Sequence, residues 1–105
     1  GLGDVYKRQD PEASASILKT FSEETRKSID LLRDALEGKD REEASRISHK
    51  LIPLFTMLGA NSLVQHLRIL EKNDEELTDS GWYHLLGEVI EQALAIVKDA
   101  ESAIG

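Results

Sequence analysis

The sequence predicts an all-α protein folded as an antiparallel up-down four-helix bundle, and three observations carry that expectation. Apolar residues recur at steps of three and four through long stretches, with no strand-like alternation anywhere. Aromatic residues make up only 5% of the 105 residues, so the core falls to Leu, Ile, Val and Ala, which favours packed helices over a sandwich. The polar breaks between periodic stretches are short, and short connections force successive helices to lie antiparallel around a single core.

Each element has its own signals. Gly1 to Gln9 carries two glycines, a Lys-Arg pair and no helical period, so it reads as a non-native or disordered leader, and the domain is expected over 10–105. Asp10-Pro11-Glu12 combines an N-cap aspartate, a proline at the first helical position and an acid beside the positive helix end. From there Leu18, Phe21, Thr25, Ile29, Leu32 and Leu36 trace one face, and Gly38 supplies the stop, giving a first helix from Pro11 to Glu37. Asp40 with Glu43 three residues on forms a capping box that opens the second helix. That helix is expected to run to Leu58, with Gly59 in a left-handed turn and Asn61 or Ser62 capping the third. Leu63, Leu67 and Leu70 point inward from the third helix, and the polar stretch from Asn73 to Ser80 is the loop before the fourth. Trp82, Leu86, Val89, Ala93, Val97 and Ala100 then mark the buried stripe of a fourth helix ending near Ala103.

Composition narrows the function classes. A net charge of −7 repels a phosphate backbone, and no basic run with interleaved aromatics overrides it, so nucleic acid is not an expected partner. The absence of cysteine excludes disulfides and thiolate metal sites, and no apolar run approaches the roughly 20 residues that cross a bilayer. The expected location is the cytoplasm and the expected state a monomer. No histidine pair has metal-ligand spacing, so no metal site is expected. There is no glycine-rich nucleotide cradle and no nucleophile elbow, which excludes autonomous kinase activity.

The chemistry concentrates at His49. At about 100° per residue, Ala44, Ile47, Leu51, Phe55 and Leu58 share one stripe of the second helix, and His49 lies well over a quarter turn from it. Ser45, Ile52, Pro53 and Thr56 are its expected neighbours on the outer side. Pro53 is the local contradiction: inside a helix it removes one amide and its ring crowds the carbonyl four residues back, which belongs to His49. A kink beside the imidazole is the expected result. His66, beside the inward stripe of the third helix, and His84, at the start of the fourth, read as structural or solvated residues.

From Asp10 to about Ala103 the chain resembles a histidine-containing phosphotransfer (HPt) domain, the module that relays phosphoryl groups in two-component signalling. His49, Leu51, Gly59 and the Leu70-Glu71 pair match that family's spacing. Ile52 stands where the family usually has a lysine that can contact the phosphoryl group, and Pro53 where it usually has glycine. The resemblance implies that His49 is the phospho-acceptor, taking the group from a receiver-domain aspartyl phosphate and passing it to another receiver. Lys50 and Arg46 are the expected phosphate neighbours in place of the missing lysine, and Ser45 is a candidate to orient the ring through Nδ1. A surface-exposed Ile52 with Pro53 supplies the apolar part of the receiver contact, alongside Ser45 and Thr56. No cofactor is expected on this chain, Mg²⁺ belonging to the receiver. The partners implied are response-regulator receivers and a parent hybrid histidine kinase, from which this stretch reads as an excised module. The other reading is a helical interaction module that binds without phosphorylation.

Overall fold

The computed structural model describes residues 11–104, with side chains from 15 to 103, so the expected leader and the Asp10 cap lie outside the described residues. Within that range the chain forms four helices and no strand: α1 Pro11–Gly38, α2 Arg41–Met57, α3 Asn61–Lys72 and α4 Asp79–Ile104. α1 packs chiefly along α4 and α2 along α3, and the two pairs close one core.

The core is the one the periodicity predicts. Leu18, Phe21, Thr25, Ile29 and Leu32 from α1 meet Ala44, Ile47, Leu51 and Phe55 from α2, with Phe21 and Phe55 edge to face at 5.9 Å between ring centroids. Leu63, Leu67 and Leu70 fill the α3 side, and Trp82, Leu86, Val89, Ala93, Val97 and Ala100 the α4 side. Leu36 and Leu58 are only partly buried against this cluster.

The helix ends depart from expectation in several places, among them the start of α4 at Asp79, inside the stretch expected as loop up to Ser80. α1 includes Gly38, and the left-handed residue that stops it is Lys39, at φ 54°. The Lys39 amide donates to the Leu36 carbonyl at 3.3 Å and the Asp40 amide to that of Ala35 at 2.8 Å, the paired bonds of a Schellman turn. Only half of the capping box forms: the Asp40 carboxylate accepts from the Glu43 amide at 3.1 Å, while the Glu43 side chain turns to Arg46. The cap of α3 is neither Asn61 nor Ser62. Asn61 is already helical, and Ala60 stands at the cap without a side-chain bond, because the turn after α2 leads straight into α3.

That turn is built as expected on Gly59. With φ 74°, Gly59 donates its amide to the Thr56 carbonyl and Ala60 to that of Phe55, both at 3.0 Å. α2 continues through Pro53 without interruption. At the opposite end, Arg41 ties the α3–α4 loop to the start of α2. It donates to the Asn73 side chain at 2.8 Å, pairs with Asp79 at 3.1 Å and lies over the Trp82 ring at 5.9 Å. Asn73, left-handed at φ 49°, ends α3.

Candidate functional site

The tight turn at Gly59 folds α3 back along α2, so that residues near the start of α2 face those near the end of α3. Two contacts fix this register. Ser45 Oγ donates to the Glu71 carbonyl at 2.5 Å, and His49 Nδ1 pairs with the Glu71 carboxylate. The first bond has a local cause: the carbonyls in the last turn of a helix have no intrahelical donor, and Ser45 supplies one to α3. The second orients the imidazole.

His49 is an exposed side chain, 76% accessible, as the helical periodicity predicts. A carboxylate can only accept a hydrogen bond, so Nδ1 is the nitrogen that carries the proton toward Glu71. Nε2 then keeps its lone pair and faces away from the carboxylate. A ring held at one nitrogen and free at the other is a positioned nucleophile, available to anything that docks on the α2–α3 face.

Pro53 and Thr56 are exposed, as expected of residues on the His49 side of α2, and Lys50 is exposed beside them. Met57, 71% exposed, adds an apolar side chain two turns beyond the histidine. Ile52 corrects the expectation. It is buried, at 9% exposure, as part of the hydrophobic core that α2 shares with α3, the helix packed along it. Ser45 is corrected as well. It lies half-buried on the same flank, and its hydroxyl is given to the backbone of Glu71, so the ring-orienting partner is the Glu71 side chain.

Arg46 sits where the sequence places it, exposed and one turn before His49, but its guanidinium is engaged by Glu43, with Nε donating to Oε2 at 3.0 Å and a second nitrogen to Oε1. The Arg46 hydrogen bond holds the Glu43 carboxyl below the usual carboxylate range, and the same contact raises the guanidinium further. Contact with an incoming anion therefore requires Arg46 to leave or share this fork. His66 is a structural residue: its Nδ1 meets the Gln92 side chain at 2.9 Å and ties α3 to α4. His84 is exposed on α4.

Glu71 is the residue of this site that the sequence does not single out. It belongs to the Leu70-Glu71 pair, but its contact with the imidazole is not legible there, because it lies 22 residues from His49 on another helix. A clue existed in the register: a tight turn at Gly59 between two amphipathic helices places the last turn of α3 beside the first turns of α2.

The described residues thus form a helical bundle that presents an oriented histidine at its surface. The comparison with family models identifies the class: the Hpt domain model matches residues 16–100, and the chain belongs to that family. Membership carries a phosphotransfer role in two-component systems and interaction with receiver domains or kinases of such systems. No curated protein and no solved structure gives a significant match to this chain. No helix among the described residues is long and apolar enough to cross a membrane.

Proposed function

We propose that His49 is the phospho-acceptor of a relay, taking a phosphoryl group from the aspartyl phosphate of one receiver domain and passing it to another. The observation that carries this reading is the exposed imidazole whose Nδ1 is engaged by Glu71, which leaves Nε2 as the nucleophile. In the forward step the Nε2 lone pair attacks phosphorus and an N–P bond forms. The P–O bond to the receiver breaks, and the departing carboxylate keeps its electron pair. The ring becomes cationic, and the Glu71 carboxylate balances that charge through Nδ1–H. The reverse sequence, on a second receiver, discharges the group.

Phosphoryl transfer depends mainly on alignment and charge stabilisation, so the two partners divide the work. The receiver supplies its acidic pocket and Mg²⁺, and this domain supplies an aligned nitrogen and needs no cofactor of its own. Pro53, Thr56 and Met57 provide a small contact surface beside the ring, suited to the brief docking a relay requires. Lys50 and, once released from Glu43, Arg46 add positive charge at its edge.

The test is incubation of the domain with a phosphorylated receiver, following label that is acid-labile and base-stable on the acceptor. His49→Gln abolishes transfer on this reading, while receiver binding persists. Transfer retained in the variant places the acceptor elsewhere, and binding without any transfer by the unmodified domain identifies a helical interaction module.

A further inference from the structure

A phosphoryl group on His49 brings roughly −1.5 to −2 units of charge to the α2–α3 face, and the cations on that face are unevenly committed. Arg46 is held by Glu43, Lys72 pairs with Asp74 at 3.3 Å, and Arg41 is occupied by Asn73, Asp79 and the Asp74 carbonyl. Lys50 has no salt-bridge partner among the described residues, but its charge acts on Glu43 and lowers that carboxyl, so it stands on the Glu43–Arg46 side of the helix. The remaining cation is Arg68, exposed on α3 and also without a salt-bridge partner among the described residues.

The position of Arg68 follows from its neighbours on α3. Residues three and four apart share a helix face, so Leu67 and Arg68 both flank Glu71 on the preceding turn. Leu67 is fully buried, which puts the core on its side and leaves Arg68 on the solvent side of Glu71. Because α3 runs antiparallel to α2, stepping back from Glu71 to Arg68 moves in the same direction as stepping forward from His49 to Pro53. The bonds from Ser45 and His49 to Glu71 hold these two lines side by side on adjacent helices. An arginine side chain is long enough to reach across to the group carried by Nε2, and its planar fork suits two phosphoryl oxygens at once.

Resting on the phospho-acceptor reading of His49, we propose that Arg68 is the cation that engages the phosphoryl group on that histidine. It contacts the group from the neighbouring helix and neutralises it while Glu71 holds the opposite side of the ring. Its role is in the phosphorylated state and in the transfer step, where charge on the phosphoryl oxygens is at its greatest.

The experiment uses the full chain phosphorylated with phosphoramidate, a small donor whose P–N bond breaks with release of ammonia, so that no receiver is needed. The phosphohistidine signal is followed by ³¹P NMR against pH, with Glu71, Arg46, Lys50, Arg68 and Lys72 as the charged groups around it. Loss of an adjacent cation disfavours the dianion. Arg68→Ala is therefore expected to raise the phosphoryl titration midpoint by about half a pH unit and to slow transfer to a receiver roughly threefold to tenfold, the range of a charge-assisted contact at an accessible site. Arg68→Lys recovers part of both effects, and Lys98→Ala on α4 moves neither. An unchanged midpoint in Arg68→Ala, or a larger shift in Lys50→Ala, overturns the assignment of Arg68 and leaves His49 as the acceptor. Failure of phosphoramidate to label His49 in the unmodified chain, with His49→Gln labelled equally, overturns both readings. Far-ultraviolet circular dichroism of each variant confirms that the bundle is intact, as expected for a substitution at an exposed position.

Discussion

A single carboxylate determines what the surface histidine can do. Glu71 is partly exposed, so its value lies in direction more than in strength: it selects which nitrogen carries the proton and restrains rotation of an otherwise free ring. Glu71→Ala is therefore expected to lower the phosphotransfer rate by about tenfold, by analogy with the lower end of the loss when a metal-bound histidine is deprived of its orienting partner. Glu71→Gln keeps an oxygen that can accept from Nδ1–H and is expected to fall between the two. Single-turnover transfer from a phosphorylated receiver measures both, and a rate in Glu71→Ala equal to that of the unmodified domain would remove Glu71 from the mechanism. His49 itself was legible without any of this, since its angle from the apolar stripe is a property of one helix.

At the scale of the elements, the ends of the helices decide how α2 and α3 meet. Gly59 and Lys39 occupy the same left-handed position in two matching turns, at φ 74° and φ 54°. Only one of them is the residue that this conformation favours. A Cβ at Gly59 would meet nothing within 4 Å, so Gly59→Ala reports backbone strain alone and is expected to destabilise the domain by about 1 kcal/mol. Lys39→Gly relieves the corresponding strain, offset in part by the greater freedom of the unfolded chain, and is expected to stabilise by up to about 1 kcal/mol. Urea unfolding midpoints at constant m-value give both signs. Pro53 belongs to the same scale. It removes the amide that would bond the His49 carbonyl, and α2 forms in spite of it. Pro53→Ala restores that donor at an exposed position and is expected to stabilise by about 2 kcal/mol, somewhat less than the full cost of an interior proline. A loss of stability would show that the proline fits its surroundings in a way the helix rule does not capture.

Across the whole molecule, charge ties distant helices together and divides the surface. Arg26 on α1 forms two hydrogen bonds to Glu101 near the end of α4, at 2.7 and 2.6 Å, and this contact holds the Glu101 carboxyl below its ordinary value of 4.5. Glu43 is lowered from the same ordinary value by Arg46, and Asp74 is lowered from 3.8 chiefly by the Glu76 amide, with Lys72 adding to it. A carboxyl depressed in the folded state contributes stability that is present above its unfolded value and is lost as pH falls through the folded one. Stability is therefore expected to stay level as pH falls toward 4.5 and to decline below it, as these carboxylates protonate in turn. Glu101→Gln is expected to flatten part of that acid limb in thermal melts recorded across the range. A variant with an unaltered limb would mean that the α1–α4 ion pair adds nothing, a real outcome for exposed pairs screened by solvent. The face that carries His49 stands apart in charge. Residues 41–72 carry five basic and three acidic side chains in a chain whose net charge is −7, so the site lies on the least acidic part of the molecule.

How much of this was legible in the sequence depended on whether the deciding interaction was local. Periodicity, the Asp40 cap, the Gly59 turn and the outward angle of His49 follow from backbone geometry within a few residues, and four helices with those signals have few ways to close one core. Tertiary structure alone decided which flank of α2 would be covered. A helical wheel gives the angle of Ile52 and Ser45 but not the position of α3; in the packed bundle the first is buried in the core and the second gives its hydrogen bond to α3. The pairing of His49 with Glu71 was decided in the same way, by which side chains the packed helices brought within reach, whereas the fork between Arg46 and Glu43 is a contact three residues apart on α2 itself. Helix angle is set by neighbours along the chain, whereas burial and hydrogen-bond partners are set by neighbours in space, and here those neighbours lie on a helix that begins only after the turn.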